Sequence, residues 1–143
     1  PVQLSPSLRV TPLLVPHRDE FSETVGLVVE GPSRRVLYLP DIDKWSRWST
    51  AIEDVVRTVD VAFVDGTFYD GTELPGRDMA EVPHPFMVES MARFKALPAS
   101  ERAKVQFIHL NHTNPALVKD SPAAAAVKDA GLGLAVEGAQ HPL

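Results

Sequence analysis

Three absences narrow the chemistry open to this chain of 143 residues. It has no cysteine, which excludes disulfides, thiolate zinc sites and cysteine nucleophiles together. The net charge is −5 and the chain has no basic run, so it lacks the cationic surface that holds a phosphate backbone. No apolar stretch approaches the roughly 20 residues that a bilayer-spanning helix requires. We therefore expect neither nucleic acid nor a membrane as a partner, and any metal would be bound by histidine and carboxylate.

The residues that are present have the composition of a single folded domain. Hydrophobic residues make up 44% of the chain and charged residues 23%, which is typical of a globular protein rather than a disordered one. The start, Pro-Val-Gln-Leu-Ser, lacks the basic and apolar regions of a signal peptide, so we expect a cytoplasmic protein. Because the first residue is Pro1 rather than Met, we also expect that a longer precursor has lost its N-terminal part.

Strand and helix patterns alternate along the chain, and this alternation predicts an α/β fold. Strands are predicted at residues 8–15, 24–30, 35–39, 61–64, 105–108 and 132–136. Helices are predicted at residues 48–59, 86–97 and 122–130. The last helix has Ser121 as its N-cap and ends at Gly131. The second and third strands are joined by Gly-Pro-Ser-Arg, which favours an antiparallel hairpin. Residues 69–85 are rich in glycine, proline and acids and show no clear period, so they are predicted to form a long, functional loop.

Polar residues follow four of the predicted strands at their ends. They are His17–Glu20, Asp41–Asp43, Asp65–Thr67 and His109–Asn114. Taken singly, an aspartate after a strand is commonly a turn or cap residue, and a lone histidine is commonly structural. In open α/β sheets, however, ligands bind beyond the carboxyl ends of the strands, so the repetition favours a site. His17, Asp41 and His109 together match a nitrogen and oxygen metal site for zinc, iron or manganese.

Several segments of the chain resemble the second half of a metallo-β-lactamase-fold protein. They are residues 15–17, 24–30, 36–41, 60–68, 76–79 and 107–115. The last is the most specific, because its His-x-Asn-x-Thr-Asn-Pro form is similar to the pyrroloquinoline quinone biosynthesis protein B group. The resemblance covers nearly the whole chain and implies an α/β fold, the C-terminal half of an αββα sandwich, with residues 1–143 as a single partial domain. The superfamily's main ligand cluster, His-x-His-x-Asp-His, occurs nowhere in the sequence, so we expect the first half of the domain to be absent or supplied from elsewhere.

The resemblance also implies a role for each metal-facing residue. His17 corresponds to the isolated ligand, Asp41 to the carboxylate that bridges two metals, and His109 to the C-terminal histidine ligand. A bridging carboxylate is physically reasonable because two cations held close together need negative charge between them. The cofactor is then a divalent metal, with zinc expected and iron or manganese as alternatives. His112 is expected to support a ligand by hydrogen bonding, and a purely structural hydrogen bond is the alternative.

A second resemblance, to the tRNA-processing ribonuclease Z members of the superfamily, concerns proton transfer. The run Asp65-Gly66-Thr67-Phe68 is similar to their acid followed by Ala-Thr-Phe, and His84-Pro85-Phe86 is similar to their histidine at a helix start. This implies that Asp65 orients His84 as a general acid, and a plain loop histidine is the alternative. Arg18 and Arg77 are either a clamp for an anionic substrate or solvated surface arginines.

These features leave three functions open for the complete protein. The leading one is a metal-dependent hydrolase, in which a metal-activated water attacks an ester or phosphodiester-type bond of a small-molecule substrate. The alternatives are an iron-dependent redox step in or near pyrroloquinoline quinone biosynthesis, and a non-catalytic binding protein on the same fold. This chain alone is expected to be inactive. Its exposed half-domain surface is expected to favour self-association.

Overall fold

The computed structural model describes residues 1–143, apart from the side chain of Ala80. Within these residues seven strands form one sheet in sequence order, from β1 at one edge to β7 at the other. The strands are Val2–Ser5 (β1), Leu8–Val15 (β2), Thr24–Glu30 (β3), Arg35–Leu39 (β4), Val61–Asp65 (β5), Val105–Ile108 (β6) and Gly133–Leu134 (β7). The α-helices are Ile52–Arg57 (α1), Met87–Phe94 (α2), Ala99–Arg102 (α3) and Pro122–Asp129 (α4), and short 3-10 turns lie at Trp45–Arg47, Met79–Glu81 and Pro115–Leu117.

Strands β1 to β4 form an antiparallel meander, and the predicted hairpin between β3 and β4 is confirmed. The register pairs Val15 with Thr24 at one end of β2 and Arg9 with Glu30 near the other. The hairpin turn is closed by the N–H of Gly31, which donates to the carbonyl oxygen of Arg34 at 2.9 Å. Because successive residues of a strand face opposite sides of the sheet, this register puts the apolar set of each strand on a common face.

Strands β4 to β7 run parallel, because a helical crossover separates each from the next. Helix α1 connects β4 to β5, helices α2 and α3 connect β5 to β6, and helix α4 connects β6 to β7. Strand β2 has the same direction as these strands, since β3 is antiparallel to both β2 and β4. The carboxyl ends of β2, β4, β5 and β6 therefore lie along one edge of the sheet, where α/β proteins bind ligands.

One hydrophobic core lies between a face of the sheet and the helices. The strands contribute Val15, Val28, Leu37, Leu39, Ala62, Val64, Val105 and Phe107, and the helices contribute Ile52, Val56, Met87, Phe94, Ala123 and Val127. A second, smaller cluster joins Phe68, Met79 and Val82, with Leu74 and Phe86 packed against it. This cluster gives the long loop after β5 a core of its own, so that the loop is held near the sheet edge.

The opposite face of the sheet is only partly covered. The C-terminal segment crosses part of it, since the ring of His141 packs edge-on to Phe63 with 5.0 Å between centroids and Leu143 lies against Gly31. Beyond that segment, Leu14, Val25 and Tyr38 are exposed. Among the described residues, no helix is long and apolar enough to cross a membrane.

Three predicted elements are at least three residues longer than the observed ones. The helix predicted from Trp48 begins only at Ile52, because the indole N–H of Trp48 donates to the carbonyl oxygen of Leu14 at 3.0 Å and holds that residue in an extended conformation beside β2. The helix predicted over residues 86–97 spans only Met87–Phe94, with Phe86 as its N-cap. The last strand was predicted over five residues but pairs with β6 only at Gly133 and Leu134. Strand β1 was not predicted.

Candidate metal centre

The sheet edge brings the three predicted metal-facing residues together. His17 comes two residues after β2, Asp41 two residues after β4, and His109 directly after β6. The N–H of Asp43 donates to the carbonyl oxygen of Pro16 at 2.7 Å, which ties the end of β4 to the end of β2. The convergence is thus a product of strand direction and of this backbone contact.

Asp41 lies between the two histidines. Its Oδ1 is 3.7 Å from Nε2 of His17 and 3.5 Å from Nδ1 of His109, separations that are too long for good hydrogen bonds. Two ligands of one tetrahedral zinc ion, with bonds of about 2.0–2.1 Å, are about 3.3 Å apart. The three side chains are 15%, 35% and 47% exposed for His17, Asp41 and His109 respectively, so the group is open on the side of His109. The separation between Asp41 and His17 suits two ligands of one cation better than a direct hydrogen bond, whereas Nδ1 of His109 also lies 3.1 Å from the hydroxyl of Thr67.

A fourth residue, His84, joins this group from the long loop. His17, Asp41 and His84 each place one nitrogen or oxygen within 4.8 Å of the others. The rings of His17 and His84 are 5.1 Å apart between centroids. In addition, Nδ1 of His17 is buried and has no hydrogen-bond partner among the described residues, so this ring is not held by ordinary hydrogen bonding. The donor set therefore fits a divalent metal, and His84 is one of the side chains that could hold it.

Sequence reasoning assigned His84 to proton transfer alone and did not consider it as a ligand. The only signal for a ligand was its position in a loop predicted to be functional. Its closeness to His17 depends on how that loop folds back. The hydrophobic pattern of the sequence does not predict this tertiary arrangement.

Asp65 lies behind the histidines as a fully buried carboxylate at the end of β5. Its Oδ2 is 2.7 Å from Nδ1 of His84 and accepts from the N–H of Ile42 at 3.2 Å. Its Oδ1 accepts from both the N–H and the hydroxyl of Thr67, at 2.9 and 2.7 Å. Both carboxylate oxygens are thus hydrogen-bonded, which is what burial of an ionised group requires.

These contacts determine which ring nitrogens are free when Asp65 is ionised. An ionised carboxylate only accepts, so Nδ1 of His84 carries the proton toward Asp65. Because Thr67 donates its hydroxyl to Asp65, its oxygen must accept from Nδ1 of His109, which is 3.1 Å away. Nε2 of His84 and Nε2 of His109 then carry the available lone pairs. A carboxylate that fixes the tautomer of a histidine in this way is the usual support of histidine metal ligands.

The loops after β5 and β6 are bound to each other. His109 has a positive φ of 61°, a backbone conformation that few residues other than glycine adopt. The turn is held because the N–H of Asn111 donates to the carbonyl oxygen of Thr67 at 2.9 Å. The buried amide of Asn114 donates to the carbonyl oxygens of Gly66 and Thr67, at 2.9 and 3.3 Å.

His112 lies outside this network. It is exposed in the turn after β6, and in the part of the chain that the structure describes it makes no hydrogen bond or ion pair. In this conformation no described contact supports its predicted hydrogen bond to a metal ligand, so the role stays a prediction.

A cavity of about 280 Å³ opens beside the histidines. Its walls include His17 and His84 together with Phe68 and Val82 of the loop cluster, and Arg18 and Arg77 also line it.

The loop that forms this wall is held in part by Glu73, which accepts from the N–H of Asp70 at 3.0 Å. Burial raises the pKa of the Glu73 carboxyl, while hydrogen bonds from the Asp70 and Tyr69 backbone act in the opposite direction.

Comparison with known proteins agrees with this architecture. The family model described as "Beta-lactamase superfamily domain" matches residues 1–136. The chain therefore belongs to the beta-lactamase superfamily.

Within the superfamily, the chain is similar to coenzyme PQQ synthesis protein B. It is 32% identical over 129 residues to that protein from Methylobacterium radiotolerans, covering 83% of this chain and 40% of the relative. Identity to the Pseudomonas fluorescens protein is 30% over 157 residues, covering 96% of this chain and 50% of the relative. The structure of Zn²⁺-bound PqqB from Methylobacterium extorquens superimposes with a TM-score of 0.77 at 23% identity, over 97% of this chain and 52% of that chain. The predicted fold type is confirmed, and the chain spans about half the length of these relatives.

Proposed function

We propose that this chain contributes His17, Asp41 and His109 to the divalent-metal centre of a hydrolase that acts on an ester or phosphodiester-type bond of a small molecule. The observation that carries the proposal is the position of Asp41, whose Oδ1 lies within 3.7 Å of His17 and 3.5 Å of His109. Because a solved structural relative is described as Zn²⁺-bound, zinc is the metal we favour. Nitrogen and carboxylate ligands also accept iron and manganese.

The residues of the chain have separate tasks in this proposal. When bound, a divalent cation polarises the bond to be broken and lowers the pKa of a water so that it can act as the nucleophile. Asp41 contributes negative charge between the two histidines. Asp65 orients the ring of His84 through a hydrogen bond of 2.7 Å. In its protonated form His84 can donate a proton from Nε2 to the leaving oxygen, which is the general-acid role.

The same geometry supports a second role for His84. In its neutral form, with the proton on Nδ1, its Nε2 is a metal-binding nitrogen close to His17 and Asp41. A histidine that binds the metal through Nε2 is not free to serve as the general acid. The two roles are therefore alternatives, and metal affinity distinguishes them.

A redox function is the second candidate, because the relatives are named coenzyme PQQ synthesis protein B. Two histidines and one carboxylate around open positions are the ligand set of many non-haem iron(II) oxygenases. In that case the complete protein would carry out an iron-dependent step in or near the synthesis of this quinone cofactor.

The ligand assignment is tested by comparing two neighbouring aspartates in the intact protein. Asp43 is buried and pairs with Arg47 at 2.7 Å, and within the described chain it makes no hydrogen bond or ion pair with a histidine, so it serves as a matched control. We expect Asp41→Asn to lower zinc affinity by at least about 100-fold, since even outer-shell partners are worth 10–100-fold. Asp43→Asn should leave zinc affinity within about twofold. Equal metal retention by both variants, measured by competition with a chelator, would show that Asp41 is not a ligand.

Metal analysis and turnover then separate the functions. Two zinc or manganese ions per chain with turnover of a phosphodiester support the hydrolase, whereas one iron with oxygen consumption supports the redox step. Metal content at trace levels in the intact protein contradicts both and favours a non-catalytic binding protein.

A further inference from the structure

The cavity beside the metal-facing residues is unusual in its charge. The chain carries a net charge of −5, yet the side chains that line this cavity include two arginines and two histidines and no acid. The ionisable side chains among the described lining residues are thus all basic, while the carboxylates of Asp41 and Asp65 lie outside the lining, 3.7 Å from His17 and 2.7 Å from His84. On the side of Arg18 and Arg77, an entering anion would therefore meet fixed positive charge.

Arg18 and Arg77 are also unusual in lacking partners. Most other arginines of the chain are engaged: Arg9, Arg35, Arg47, Arg57, Arg93 and Arg102 bond to acids or to backbone carbonyl oxygens. Within the described part of the chain, only Arg18, Arg34 and Arg77 have a guanidinium group without a hydrogen bond or ion pair. Two of these three line the same cavity. Unused guanidinium donors at a cavity are groups that a ligand can satisfy, and their planar fork matches an oxyanion.

The rest of the wall indicates what the anion is attached to. Phe68 and Val82 belong to the loop cluster and present apolar surface to the cavity, while His17 and His84 lie on the metal side. The volume of about 280 Å³ lies at the lower limit of small-molecule sites, so it suits a small organic group rather than a polymer.

We propose that this cavity binds a small organic anion, with the oxyanion group held by Arg18 and Arg77 and the apolar part packed on Phe68 and Val82. Because Arg18 directly follows His17 in the chain, the anion would lie next to the metal-facing residues. This inference deepens the proposed function and rests on it, since it assigns the substrate class of the same site. The two arginines determine specificity, and the reacting bond lies on the side of His17 and His84.

The experiment titrates the intact, metal-free protein with three probes and follows binding by NMR chemical shifts. Benzoate and phenyl phosphate carry the two candidate oxyanions on the same apolar ring, and benzamide is the neutral control. We expect saturable binding of at least one anion, at least tenfold tighter than that of benzamide. Tighter binding of benzoate assigns a carboxylate substrate, and tighter binding of phenyl phosphate assigns a phosphate. Benzamide binding as tightly as both anions overturns the proposal, and so does the absence of binding by either anion.

The matched variants are Arg18→Gln, Arg77→Gln and Arg34→Gln. None of the three guanidinium groups has a hydrogen bond or ion pair among the described residues, so the substitutions remove no internal polar contact, and circular dichroism checks that the fold is retained. Arg18→Gln and Arg77→Gln should each weaken anion binding about tenfold or more, because hydrogen bonds to charged groups contribute that much. Arg34→Gln should leave it unchanged. An equal effect of all three variants would indicate general charge attraction and overturn the site.

Zinc affinity is measured on the same variants to keep this proposal separate from the preceding one. The arginine variants should retain wild-type zinc affinity, because neither arginine is a ligand. If Asp41→Asn leaves zinc binding intact while the arginine variants lose anion binding, the metal assignment fails and the anion site stands. If Asp41→Asn loses zinc but all arginine variants bind anions like the wild type, the anion site fails and the metal centre stands.

Discussion

Asp65 is buried, and its carboxylate oxygens are hydrogen-bonded by groups from three segments of the chain. The N–H of Ile42 follows β4, Thr67 follows β5, and His84 belongs to the long loop. Each donor therefore links the carboxylate to a different part of the candidate site. Asp65 also fixes the proton position of His84 directly, and that of His109 through the hydroxyl of Thr67. One residue thus supports the orientation of two candidate ligands.

We predict that Asp65→Asn reduces both stability and metal affinity. The amide replaces one acceptor with a donor, so a buried N–H or hydroxyl loses its partner, which costs about 1–3 kcal/mol of unfolding free energy. If His84 binds the metal, zinc affinity should also fall about 10–100-fold, as for other outer-shell partners of histidine ligands. Urea unfolding and chelator competition measure the two effects.

The control for this variant is Asp54→Asn. Asp54 is exposed on α1 and, among the described residues, its side chain pairs only with Arg57, so both quantities should remain near wild type. A destabilised Asp65→Asn protein with wild-type zinc affinity would contradict the ligand role of His84 and leave the general-acid role.

At the scale of elements, the candidate site depends on the contact between two loops. Asn114 is 2% exposed and lies at the start of the 3-10 turn after β6, where its side-chain oxygen accepts from the N–H of Ala116 at 2.9 Å. Its amide group reaches Gly66 and Thr67 in the loop after β5. The loop that carries His109 is thereby held against the loop that carries Thr67. The same asparagine acts as a cap and as a link between elements.

We predict that Asn114→Ala lowers the unfolding free energy by about 2–3 kcal/mol, because it removes a cap and leaves buried carbonyl oxygens without donors. The matched control is Asn111→Ala, whose side chain donates only to the hydroxyl of Thr113, and which should cost less than about 1 kcal/mol. Denaturant unfolding of both variants gives the comparison. Similar losses for the two variants would mean that the link from Asn114 contributes little.

The order of elements and the carboxyl-end site could be predicted because they depend on local patterns. Alternation and apolar runs identified β2 to β6, and polar residues at their ends indicated the candidate site. Strand β1 has no comparable signal, since its residues are largely exposed. The 3-10 turn at residues 45–47 and the late start of α1 depend on the bond from Trp48 to Leu14, which joins segments far apart in sequence. The contact of His84 with the metal-facing residues likewise joins segments far apart in sequence, so local patterns do not predict it.

At the scale of the whole molecule, the two faces of the sheet are covered unequally. The helices pack on one face, and on the other an apolar row crosses neighbouring strands. Leu14 pairs with Val25 across β2 and β3, Leu27 pairs with Tyr38 across β3 and β4, and Tyr38 pairs with Phe63 across β4 and β5. Leu14 is 65% exposed and Tyr38 is 47% exposed. Contiguous apolar surface on a sheet face is unfavourable in water and is usually covered by another surface.

We propose that this face drives self-association of the chain, as the sequence led us to expect. Leu14→Thr tests the idea without altering the strand, because threonine is β-branched and is well accepted in sheets. Light scattering should show concentration-dependent association of the unaltered chain and less association of the variant. Leu117→Thr is the matched control, since Leu117 is 55% exposed but lies in the 3-10 turn after β6 and not on the sheet. It should associate like the unaltered chain, because what matters is the continuity of the apolar face rather than the number of exposed leucines. The assignment would be contradicted if the unaltered chain stayed monomeric at all concentrations. Equal effects of the two substitutions would contradict it as well.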